Sequence, residues 1–314
     1  MRARSNSEIE VVGVCDPNLV DEISLAGSIN FRNIEHLIEY RPDQVFLAVP
    51  HDIAFEIASQ LLTEGISVHL EKPMGRNLSE AVILQSLAEQ YNGTLTIGFN
   101  YRYMAGVQQI VEDCRSGLFG ELVRISLELG HGGSPSDRRS WKLDPIKAGG
   151  GCLIDPGVHL LDICNMVVAT PRPVVCQTWE GFWNTGIEEE AHVLMMSGKT
   201  LIDLAVSVVR WRSLFRIEVQ GVEGYGRVDG RGRSYGIQTY FRGRRWAWQS
   251  GSTQAETEEL VCTDDCLKSF ELETADVLGI SRTSRRFGNG LDGLKTMQLL
   301  ESIQKSRLPS GTSE

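Results

Sequence analysis

The sequence predicts an α/β chain in two parts: a parallel-sheet domain over residues 1–100, then an α+β domain with a large, mostly antiparallel open sheet over residues 101–314. Three observations carry this reading. Strand and helix signals alternate through the first hundred residues. Alternating β-type segments dominate from Pro173 to Trp248. The length of 314 residues holds two cores at ~150 residues per domain.

In the first part, Ile9 to Cys15 is a short apolar run that ends in the turn residues Asp16-Pro17-Asn18. Ser28 to Phe31 reads as a short strand. Asn33 then caps a helix carrying Ile34, Leu37 and Ile38. Val45 to Val49 is an unbroken apolar run stopped by Pro50, as expected of a strand buried on both faces. Ala54 to Glu64 has helical periodicity, and Gly65 closes it. Ser67 to Leu70 is the next strand. Ser79 is expected to open a helix with Val82, Ile83 and Leu87 facing inward, and Leu95 to Phe99 is a further strand. Such alternation builds βαβ units and a parallel sheet.

In the second part, Val107 to Cys114 is helical, 122–129 reads as a strand, and a polar, glycine-rich stretch runs from Gly130 to Gly151. An apolar helix with Val158, Leu161 and Met166 follows. Strands are expected over 174–179, 192–196, 200–209, 215–220 and 236–241, with helices over 265–280 and 291–304 and a free tail from Pro309.

Composition excludes several classes. Lys plus Arg is 31 against 41 Asp plus Glu, and the resulting charge of −10 repels polyphosphate, which argues against nucleic-acid binding. No apolar run reaches the ~20 residues of a membrane span, and Met1 to Ser7 lacks the apolar core of a signal peptide, so the chain reads as cytoplasmic. The seven cysteines are scattered without a CxxC; Cys262 and Cys266 stand alone at helical spacing. Reduced thiols are expected, with no disulfide framework and no metal site.

A doubly wound dinucleotide domain opens with a strand, a glycine-rich turn and a helix, and an acidic residue about 20 positions on holds the ribose. Asp16 sits at the place of that acid. The strand and its glycine turn are therefore expected upstream of Met1, in a longer reading frame.

Glu71-Lys72-Pro73 follows the third strand. Later comes Gly149-Gly150-Gly151-Cys152-Leu153-Ile154-Asp155-Pro156-Gly157-Val158-His159-Leu160-Leu161-Asp162. Together they resemble the glucose-fructose oxidoreductase, inositol dehydrogenase and rhizopine catabolism family, Gfo/Idh/MocA, from about Glu8 to about Leu308. Gly98 to Tyr103 and Gly117 to Gly120 resemble family segments too. The resemblance implies a Rossmann-like first domain with its first strand missing, and an NAD(P)-dependent oxidoreductase acting on a secondary alcohol of a sugar, sugar derivative or cyclitol. It implies a homo-oligomer built through the C-terminal sheet, and Asp16, with no arginine directly after it, makes NAD rather than NADP the expected cofactor. By position, Lys72, Asp155 and His159 resemble the catalytic trio. Asp16, Pro50, Glu71, Lys72 and Pro73 are expected at the cofactor, and Asn100, Arg102, Trp141, Asp155 and His159 at the substrate. The alternative is a truncated, non-catalytic relative that binds a ligand or partner.

The chemistry agrees. Oxidising an alcohol needs a base for the hydroxyl proton and a cation beside the developing alkoxide, which suit His159 and Lys72. If the helix already includes Asp155, it stands one turn before His159, able to orient the imidazole or bind a substrate hydroxyl. The Lys72–Pro73 peptide is expected to be cis. Singly, each residue has a plainer reading: a solvated lysine, a core histidine, a helix-capping aspartate. His51 directly follows Pro50, whereas the family pattern often carries a histidine where this chain has Ala54. From Arg210 to Arg245 nine arginines face three acidic residues, either as solvated strand charges or as a site for an anionic partner, with Trp246 and Trp248 at its end. Glu188-Glu189-Glu190 reads as a solvated strand entry.

Overall fold

The computed structural model describes residues 9–17, 28–134, 140–246, 257–263, 267–280 and 287–309. Trp248, Cys266 and the tail after Pro309 lie outside the described residues. The two-part α/β architecture is present.

The parallel layer begins with β1 (Gly13–Cys15) and β2 (Ile29–Phe31), paired with each other. α1 (Ile34–Tyr40) follows, and the Asn33 side chain accepts from the His36 amide as its cap. A second sheet runs β3 (Gln44–Leu47), β4 (Ser67–Glu71), β5 (Leu95–Gly98), all parallel. Among the described residues the two pieces share no strand pairing.

Central β4 is buried on both faces through Val68, His69 and Leu70. α2 (His51–Thr63) covers it with Ala58, Leu61 and Leu62. α2 starts at His51, three residues before the expected Ala54. α3 (Leu78–Gln90) is capped by Asn77 rather than Ser79, which rotates its inner face. Ala81, Leu84 and Ala88 are buried, while Val82 and Ile83 are exposed.

α4 (Ala105–Arg115) leads to β6 (Leu122–Gly130), the short α5 (Pro145–Ala148) and α6 (Gly157–Val167). α6 is buried nearly all round through Val158, Leu160, Leu161, Ile163 and Cys164. The second sheet adds β7 (Arg172–Trp179), β8 (Glu190–Ser197), β9 (Thr200–Ser207), β10 (Leu214–Gly221), β11 (Gly224–Asp229), β12 (Gln238–Arg244) and β13 (Thr257–Thr263). Its order is β13-β12-β11-β10-β6-β9-β8-β7, antiparallel except for β6 with β9. β11 and β13 were not expected from the sequence.

After α7 (Lys268–Val277) the chain returns to the first layer. β14 (Gly288–Asn289) pairs antiparallel with β5, and α8 (Gly290–Lys305) packs on α3 and α6. A Cβ on Gly293 would lie 2.6 Å from the Met74 sulfur and 2.8 Å from Ile97, so only glycine admits this approach. Strand and helix of residues 288–305 thus complete the layer that positions β4.

Candidate active site

β3 and β4 end side by side, and the carboxyl ends of parallel strands open into a crevice where such sheets bind ligands. A cleft of about 240 Å³ lies there, lined by Ala48, Val49, Pro50, His51, Glu71, Lys72, Trp141, Lys142 and Asp155. The Lys72–Pro73 peptide is cis.

Lys72 Nζ donates to Asp155 Oδ1 at 2.6 Å and to the Asp155 carbonyl at 2.9 Å. Lys142 Nζ donates to Asp155 Oδ2 at 3.0 Å and stands 5.8 Å from the Trp141 ring centroid. Burial alone would raise the Asp155 carboxyl, but the two ammonium groups override it and hold it well below the usual carboxylate range. Glu71 is shifted the other way: burial raises its carboxyl against the opposing Lys72.

Asp155 precedes α6, whose first residue is Gly157. It therefore does not share a helical face with His159, and no hydrogen bond joins them. The glycine segment fixes Asp155 instead. A Cβ on Gly151 would fall 1.9 Å from the Glu188 carbonyl oxygen. The amides of Gly151 and Leu153 donate to Glu188 Oε1 at 3.1 and 3.3 Å, and Arg307 pairs with its Oε2 at 3.3 Å. Glu188 and Glu189 are buried, not solvated, and the amides of Phe182 and Trp183 donate to Glu189.

His159 is buried and stacks on Tyr101, with centroids 3.9 Å apart and planes 4° from parallel. Its Nδ1 is buried without a hydrogen-bond partner among the described residues. Ring stacking, not a carboxylate, sets its orientation. Burial first, then Lys72 and Arg231, push its pKa well below the ordinary histidine value, so the imidazole is neutral at pH 7.

His51 opens α2, and its Nδ1 lies 2.9 Å from the Ala148 carbonyl. Its ring meets Trp141 edge-on at 4.6 Å. It ties the loop carrying Trp141 and Lys142 to the rim of β3.

The structure thus brings Pro50, Glu71, Lys72, Trp141 and Asp155 together in the cleft lining, while His159 lies outside that lining within reach of the charges of Lys72 and Asp155, and Pro73 follows Lys72 across the cis peptide. It places Asn100 and Arg102 elsewhere. Asn100 is buried and donates to Ser269 Oγ at 3.1 Å. Arg102 grips Asp162 through two bonds of 2.7 and 2.5 Å and reaches Asp292 at 3.1 Å, joining α6 to α8. Contrary to expectation, these two stand in a buried network rather than in the cleft. Their neighbour Tyr101 is the residue of that segment that faces His159. Asp16 ends β1 in an exposed position, its amide donating to the Phe31 carbonyl at 3.2 Å. Sequence reasoning missed Tyr101 as a site residue, although it adjoins Asn100 and Arg102, which it named.

Residues 1–99 match a family model described as the oxidoreductase family, NAD-binding Rossmann fold, and residues 107–227 match the GFO/IDH/MocA C-terminal domain. The chain is 29% identical over 163 residues to the rhizopine catabolism protein MocA of Rhizobium meliloti, covering 51% of this chain and 50% of that protein. It is 28% identical over 175 residues to D-glucoside 3-dehydrogenase of Escherichia coli, covering 53% and 49%. The chain spans about half the length of these curated relatives. An inositol dehydrogenase homologue of Azotobacter vinelandii, crystallised with NAD+, superposes with a TM-score of 0.73 at 18% identity, covering 88% of this chain and 80% of that one. At that identity the likeness is one of fold.

Proposed function

The chain belongs to the GFO/IDH/MocA oxidoreductase family, and on that premise we propose that it transfers a hydride between a nicotinamide cofactor and a secondary alcohol of a sugar, sugar derivative or cyclitol. The observation that carries the reading is the Lys72–Asp155 contact of 2.6 Å, set beside His159 at the carboxyl end of β4.

The residues present fit a nicotinamide cofactor. Ala48, Val49 and Pro50 give the cleft an apolar wall suited to a flat ring, and Glu71 and Lys72 give it a polar rim. Asp16, at the end of β1, suits ribose hydroxyls and repels a 2′-phosphate, which favours NAD over NADP. When bound, the nicotinamide supplies the hydride acceptor.

The chain's own residues do the rest. Lys72, fixed by Asp155, presents its ammonium to the oxygen that develops negative charge. Neutral His159 takes up the hydroxyl proton and exchanges it with solvent. Asp155, bracketed by Lys72 and Lys142, stays ionised and orients both. Trp141 and Lys142 border the substrate side. The outer face of the large sheet carries half-buried Leu194, Met196 and Leu201, which supports a subunit interface there.

Steady-state assays across a polyol panel with NAD+ and NADP+ test the proposal. Turnover with a preference for NAD+ is expected. Turnover with NADP+ alone would contradict the role given to Asp16.

A further inference from the structure

Part of the arginine-rich stretch is neutralised by carboxylates. Arg216 and Arg227 pair with Asp229 at 2.6 and 2.8 Å, and Arg242 pairs with Asp113 at 3.2 Å. Arg231 differs. It lies between Gly230 and Gly232, whose φ values of +76° and +90° favour glycine. A Cβ on Gly230 would fall 2.3 Å from the Ile237 carbonyl oxygen, so the loop has little freedom around Arg231.

The Arg231 guanidinium carbon stands 3.9 Å from the Tyr235 ring centroid and 5.2 Å from that of Tyr101. Tyr101 is the ring on which His159 stacks. No carboxylate pairs with Arg231 among the described residues, and its Nε is buried without a hydrogen-bond partner. The aromatic rings hold the cation flat and leave its charge unanswered. Its field reaches His159 and Tyr101. Lys72 and Lys142, whose charges also reach His159, share the single carboxylate Asp155. A chain of net charge −10 thus gathers three cations around His159. Such a field, focused by a cleft, attracts anions.

We propose that Arg231 recognises an anionic group on the substrate, so that the substrate is a sugar or cyclitol bearing a carboxylate or a phosphate rather than a neutral polyol. This inference rests on the oxidoreductase reading of the same site. A planar guanidinium offers two parallel N–H donors to either group.

The test measures kcat, KM and direct calorimetric binding for glucuronate, glucose 6-phosphate and glucose, with the parent and with Arg231→Gln and Arg231→Lys. For the better of the two anions, Arg231→Gln is expected to raise KM and Kd about 10- to 100-fold, and Arg231→Lys to recover part of the loss. Glucose should bind weakly, with the same Kd in the parent and both variants. The preference between the two anions identifies the group. In the parent, KM for the anion should rise with ionic strength while that for glucose stays level, which serves even if a variant does not fold. Turnover of glucose equal to that of both anions, without salt dependence, would overturn the recognition and leave the oxidoreductase reading intact. Arg231-dependent binding of an anion without turnover of any sugar would support the recognition and overturn the oxidoreductase reading. Binding of none of the three would overturn the recognition.

Discussion

Tyr101 and His159 lie face to face, 3.9 Å between ring centroids and 4° from parallel, where the imidazole Nδ1 has no hydrogen-bond partner among the described residues. The stack therefore aims the histidine. Tyr101→Phe keeps the ring and should retain most of the turnover. Tyr101→Ala frees the imidazole and should lower kcat by up to about 10²-fold, with the fold preserved. Equal kcat for both variants, measured beside their melting temperatures, would remove the stack from the account.

Arg102 is a structural residue. It joins α6 to α8 through Asp162 and Asp292, and Arg102 and Asp162 are buried. Asp162→Ala leaves a buried guanidinium short of a partner and should cost about 3–5 kcal/mol in urea unfolding. An unchanged unfolding midpoint together with a raised substrate KM would return Arg102 to the substrate site.

Glu273, on α7, makes stability fall with pH. It is buried, with Oε1 unpartnered among the described residues and Oε2 3.9 Å from His69 Nε2. Burial, then the neighbouring Glu71, Asp162 and Asp276 against an opposing Arg102, raise its pKa from 4.5 to about 9. The folded chain keeps this proton while the unfolded chain releases it, so the stabilisation is complete below 4.5 and is lost as pH rises through 9. His69, lowered by burial from 6.5 to about 4, gives the opposite slope, and only below 6.5. Melting curves above pH 6.5 should decline in the parent and flatten in Glu273→Gln. Parallel declines would contradict the assignment.

The motif residues were legible in the sequence because each sits where a local pattern begins or ends: Lys72 after β4, Asp155 just before α6 and His159 in its first turn. Their partners were less so. Lys72 and Asp155 meet across 83 positions, and only the packing of the two halves joins them. Glu188 reads locally as one of three solvated acids; its burial depends on the distant amides of Gly151 and Leu153 and on Arg307. β11 escaped notice because Gly224 and Gly226 dilute its strand pattern. A Cβ on Gly226 would fall 2.7 Å from Phe119 Cζ, so packing demands the residue that weakens the signal. α3 was turned by one position once Asn77, not Ser79, took the cap, and that exchanged Val82 and Ile83 for Ala81 and Leu84 in the core.

The central claim is that Lys72 and His159 carry proton exchange and charge stabilisation during NAD-dependent alcohol oxidation. The most direct measurement is reduced-nicotinamide formation from NAD+ and a sugar substrate by the parent, Lys72→Met and His159→Ala, with melting temperatures taken alongside. The account predicts turnover by the parent and a loss of about 10²–10⁴-fold in each folded variant. Near-normal turnover by folded His159→Ala or Lys72→Met would contradict it.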